Sequence, residues 1–104
     1  MDTLEAVIAD DLRPLIRGGI TMYPAHALTR IFDWAADQGR TIEWVEGVFY
    51  DLATETGRHS LSYMCENTTD YAAFRETCVS LAAAIQAEAV DIGMSSYFEI
   101  GISN

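Results

Sequence analysis

The apolar residues of this chain change their spacing at Gly57 and again after Gly93, and that change constrains the fold more than any motif does. Residues 59–66 set Leu61, Tyr63 and Cys65 against Ser60, Ser62 and Met64, the two-residue alternation of a half-buried strand. Residues 96–102 alternate again, with Phe98, Ile100 and Ile102 on one side. Between them, Tyr71, Phe74, Cys78, Leu81, Ile85 and Ile92 recur at helical spacing from about 70 to 92. Asn67-Thr68-Thr69-Asp70 offers N-caps ahead of this helix, and Gly93 stops it. Its small residues Ala82, Ala83, Ala84, Ala87 and Ala89 permit close packing. The two strands are expected to pair with each other.

Ahead of Gly57 the spacing reads as helical. Leu4, Val7, Ile8, Leu12, Leu15 and Ile16 form a first stripe, started by a capping-box-like Asp2 and Glu5. Pro14 kinks that helix or ends it near residue 12, and Gly18-Gly19 closes the segment. Pro24 suits the first turn of a second helix with Leu28, Ile31, Phe32 and Ala35 buried, Asp33 and Asp37 outside, and Gly39 past its end. Thr41 caps a third, over 41–56, whose wheel sets Ile42, Val45, Val48, Phe49 and Leu52 against Glu43, Glu46, Tyr50 and Thr54. A strand over 41–50 is the alternative, on its aromatic and β-branched content. Alternation breaks at Trp44-Val45 and at Val48-Phe49-Tyr50, so periodicity favours helix. The expected fold is one globular α+β domain over 1–104, with three to four helices packed on a small sheet containing strands near 59–66 and 96–102.

Composition sets the function classes. Half of the chain is hydrophobic and only two residues are proline, which excludes disorder. Acidic residues number 16 and basic residues 6, for a net charge of −10. All six basic residues are arginine, and with fourteen alanines this fits a GC-rich phage or bacterial genome. Such a charge disfavours direct binding to nucleic acid or to an anionic membrane. No apolar stretch is long enough to span a bilayer, and the first residues lack the pattern of a secretory signal, so a cytoplasmic setting is expected. Two cysteines, Cys65 and Cys78, are too few for a disulfide scaffold, and their spacing neither requires nor forbids a bridge.

No pattern of catalytic, metal-binding or cofactor-binding residues stands out, so the chain reads as a non-enzyme without cofactor or metal. Ala35, Gly39 and Val45 fall at helix-turn-helix spacing, but the segment that would enter a groove carries Glu43, Glu46, Asp51 and Glu55 and no cation. His26 and His59 stand outside any zinc spacing and read as surface groups. Cys65 and His59 sit too far apart on one strand to act as a nucleophile and base, and Cys78 reads as packing. Glu43-x-x-Glu46 lacks the Glu-x-x-His of di-iron bundles, and Gly18-Gly19 lacks the residues of a phosphate loop.

The sharpest functional feature is acidic. On a helix over 41–56, Glu43, Glu46 and Tyr50 share one side, flanked by Asp51, with Asp33 and Asp37 brought near by the preceding helix and Trp44 as an aromatic anchor. Carboxylates spaced along a surface imitate phosphates and occupy a basic groove. The expected partner is therefore a basic protein, a nucleic-acid-binding effector or a nuclease. In size and charge the chain resembles phage anti-CRISPR proteins and toxin-immunity proteins, which implies a small inhibitor of a nucleic-acid-engaging surface. The alternative is a non-catalytic structural or adaptor module, homodimeric through the alanine-rich helix.

Overall fold

The computed structural model describes residues 15–17, 19–68 and 70–103. One antiparallel sheet carries β1 (Leu15–Arg17), β2 (Ile20–Pro24), β3 (Ile42–Asp51), β4 (Thr56–Glu66) and β5 (Ser95–Ile102) in the order β1-β2-β5-β3-β4. A short 3-10 turn, Ala25–Ala27, leads into α1 (Leu28–Asp37), and α2 (Tyr71–Ile92) joins β4 to β5. The α+β class is as expected. The helix count is not: the described residues contain two α-helices instead of three or four. Up to residue 14 the first expected helix lies outside the described residues, and Leu15–Arg17 is an edge strand.

The second correction concerns 41–56, which is strand β3, a turn and the start of β4 rather than a helix. β3 pairs with β4 on one side and β5 on the other, so it lies inside the sheet with both faces covered along part of its length. Ile42, Val45 and Phe49 join the main core with the helices, whereas Val48 and Tyr50 join Met22 in a second buried cluster. A strand buried on both faces gives a continuous apolar run instead of alternation. The Val48-Phe49-Tyr50 run is that stretch, and the break at Trp44-Val45 follows a register irregularity between Ile42 and Trp44. The helix-turn-helix reading falls with the helix.

The third correction is to the pairing. Both predicted strands are present, within β4 and β5, but β3 lies between them. Each is antiparallel to β3, so the two run parallel to one another, and α2 carries the chain across.

The helices follow their sequence signals. Leu28, Ile31, Phe32 and Ala35 are buried on α1 while Asp33 and Asp37 are exposed. Asp70 caps α2, its side chain accepting from the Ala73 N–H at 3.0 Å, a contact worth about 1 kcal/mol. Gly93 ends it in the left-handed region. Phe74, Cys78, Ala82, Ile85 and Ala89 are buried, and Phe32 meets Phe74 edge-on with ring centroids 5.9 Å apart. Ile92, expected in this stripe, is exposed. Among the described residues no helix is long and apolar enough to cross a membrane.

The two cysteines are free thiols. Cys78 is fully buried, and burial first, then the neighbouring Cys65, pushes its thiol from 9.0 up to about 12. The raised value makes the stabilisation present below pH 9 and lost as pH climbs toward 12, because the unfolded thiol ionises first. Stability should therefore fall through this window with a contribution approaching about 1.4 kcal/mol per pH unit. Cys78→Ala should flatten that alkaline limb in urea unfolding. Tyr63, also raised by burial and then by Glu88, remains in the variant, so the difference isolates Cys78. An unchanged limb would remove Cys78 as its source.

Candidate functional site

The sheet face turned away from α1 and α2 gathers part of the predicted site. Trp44, Glu46, Val48 and Tyr50 alternate along β3 with the core residues Val45 and Phe49. Trp44 is half-buried, and its indole lies against Gly101 of β5, where a β-carbon would collide with it. Opposite Trp44 on β4 stands the exposed Glu66. Two residues along β3, Glu46 faces Met64 of β4 on one side and Glu99 of β5 on the other. His59 reaches the same spot from β4, its Nδ1 lying 2.5 Å from Glu46 Oε2.

The remaining predicted residues do not join this group. Tyr50 is 2% exposed and packs edge-on against Tyr97 with centroids 6.2 Å apart, so it is a core residue rather than an anchor. Asp51 fastens the β3–β4 turn: its Oδ1 accepts from the Ala53 N–H at 2.9 Å and the Thr54 N–H at 3.4 Å. Asp33 and Asp37 belong to the helix layer on the other side, where Asp33 accepts from Arg75 at 2.7 Å. Glu43 is exposed at the irregular start of β3, and its carbonyl accepts from the Asn67 N–H at 2.8 Å. Trp44 and Glu46 thus stay together, Glu43 and Glu66 lie at the same end of the β3–β4 pair, Tyr50 is buried farther along the same face, and Asp33, Asp37 and Asp51 are elsewhere.

Sequence reasoning missed His59, Glu66 and Glu99 as parts of one site. They come from two strands whose register to β3 no local spacing encodes. The alternation within β5 did separate Glu99 from Phe98 and Ile100, which was the one readable signal.

Arg40, Arg58 and Arg75 are directed to other parts of the fold. Arg40 stacks over Trp34 at 5.3 Å and donates to the Ser103 carbonyl at 2.8 Å. Arg58 lies over Phe49 at 5.7 Å, on the helix side of the sheet, and Arg75 lies over Phe32 at 5.4 Å. Among the described side chains no arginine accompanies Glu46, Glu66 and Glu99 on their face. What remains is a carboxylate-rich surface with one half-buried indole and one imidazole, suited to attracting cations or cationic side chains. Comparison of the chain with protein-family models, curated proteins and solved structures returns no match.

Proposed function

We propose that the protein is a small acidic inhibitor that binds a basic, nucleic-acid-engaging surface of a partner protein, in the manner of an anti-CRISPR or toxin-immunity protein. The observation that carries this reading is a sheet face on which carboxylates stand beside an aromatic side chain. In a chain with a net charge of −10, Glu46, Glu66 and Glu99 share that face with Trp44. Opposed charges steer association, and a desolvated aromatic slows dissociation. The binding face supported by the fold is this one, with Glu43 at its margin, in place of the helical face the sequence suggested.

The test is a pull-down from the native host followed by binding kinetics. Reversing Glu43 and Glu66 to Arg should slow association about tenfold at low salt and reduce its salt dependence. Trp44→Ala should chiefly speed dissociation. An affinity unchanged within about twofold by the double reversal, judged against typical hot-spot losses, would make the face a merely solvated one.

One observation favours the adaptor alternative. Ala72, Val79, Ala83 and Val90 line the outward side of α2, with Val79 42% and Val90 80% exposed. A helix apolar on both sides is suited to packing against a second helix. Light scattering of the isolated protein distinguishes the readings: a dimer dissociated by Ala83→Glu supports the adaptor, and a monomer supports the inhibitor.

A further inference from the structure

We propose that Glu46, His59 and Glu99 form a binding site for one divalent transition-metal ion, with Zn2+ the ion best suited to the donor set. Three adjacent strands each supply one ligand, with β3 in the middle. Their donor atoms all lie within 4.8 Å of one another, and His59 Nδ1 already stands 2.5 Å from Glu46 Oε2. Ligands held about 2.1 Å from a common ion are separated by at most about 4.2 Å, so small side-chain rotations close the site.

The surroundings favour a cation there. Glu46 and Glu99 occupy directly opposed positions in the β3–β5 register. Like charges in that relation repel, and the chain already carries ten excess negative charges. One imidazole neutralises one carboxylate at most, whereas a divalent ion neutralises both. The imidazole nitrogen selects a transition metal over Ca2+ and Mg2+, which take oxygen ligands. Cys65, the competing soft donor on β4, packs against the main core on the opposite face, so the site contains no thiolate. Three protein ligands leave coordination positions open to water, and the half-exposed setting makes the ion exchangeable. The strand scaffold fixes the spacing of the ligands, and the β3–β4 register shifts between Glu46 and Gly47, beside the site.

The experiment uses the full chain, stripped with chelator and titrated with ZnCl2 by calorimetry and with CoCl2 by absorption. One ion should bind per chain, with Kd of about 1–10 µM. His59→Ala and Glu99→Gln should each weaken binding by at least about tenfold, since ligand loss costs no less than the loss of a supporting outer contact. His26→Ala and Glu43→Gln should leave it unchanged. Bound Co2+ should show visible absorption without a thiolate charge-transfer band. Glu99→Gln keeps the side-chain shape, so it carries the test if His59→Ala fails to fold. The proposal is overturned by no binding up to about 1 mM, a threshold reflecting an affinity too weak to be specific. Equal affinities in wild type, His59→Ala and Glu99→Gln, or a charge-transfer band reporting Cys65, would also overturn it. Both readings draw on Glu46 and Glu99, but the titration needs no partner and the charge reversals at Glu43 and Glu66 touch no ligand, so failure of one is distinguishable from failure of the other.

Discussion

Gly47→Ala should destabilise the domain by about 2 kcal/mol, and Gly47→Val by more than about 3 kcal/mol. A β-carbon at this position would lie 2.6 Å from the Tyr63 β-carbon and 2.7 Å from Ile85 Cδ1. The isoleucine methyl is the end of a flexible side chain and can yield. The Tyr63 β-carbon is fixed to the β4 backbone, so relief there needs movement of the strand. Gly47 sits inside the sheet, paired with Ser60 of β4 and Phe98 of β5, which limits such movement. The missing side chain lets the β4 bulge fold Tyr63 inward, where its ring meets Phe49 edge-on at 5.8 Å. The experiment also separates the two readings of 41–56. In a solvent-facing helix, Gly47→Ala would stabilise by about 1 kcal/mol, so the sign of the change is diagnostic. Urea unfolding of both variants checks it, and stability equal to or above wild type for Gly47→Ala would remove the packing argument.

What the sequence disclosed and what it concealed divide along the range of the interactions. α1 and α2 were readable because a helix writes its buried face at local spacing and its ends in single residues, here Asp70, Gly39 and Gly93. β5 was readable where it has one face toward the core, and β4 in part: Tyr63 and Cys65 pack on the core, but Leu61, read on the same side, is exposed where the β3–β4 register shifts. β3 was not readable, because burial on both faces erased the alternation and the register irregularity after Ile42 shifted it by a residue. Misreading β3 also misplaced the site. On a helix, Glu43, Glu46 and Tyr50 would share a face; on this strand Tyr50 is core and Glu46 instead meets residues distant in sequence. His59 shows the same limit: its zinc-type spacing was absent because the other two donors lie on β3 and β5. The charge imbalance was legible from composition, but which carboxylates share a sheet face depends on pairing, which is a property of the folded chain.

The second large effect is expected at Phe98, where replacement by Ala should cost about 3–5 kcal/mol. The side chain is fully buried and belongs to the main core. It stands in β5 between Tyr23 of β2 and Gly47 of β3, at the place where the two halves of the sheet are joined. Gly47 contributes no side chain to close the gap, so removal of the Phe98 ring leaves a cavity that its neighbour in that row cannot fill. Phe98→Leu retains most of the volume and should cost less than about 2 kcal/mol, which distinguishes a volume requirement from an aromatic one. Ile102, half-buried at the end of β5, gives a comparison on the same strand and face, and Ile102→Ala should cost less than Phe98→Ala. If β5 paired directly with β4, as the sequence pattern suggested, Phe98 would lack its place between Tyr23 and Gly47, which makes its loss so costly. Equal, small losses at Phe98 and Ile102 in urea unfolding would therefore argue against the central position of β5, and with it against the juxtaposition of Glu99 and Glu46.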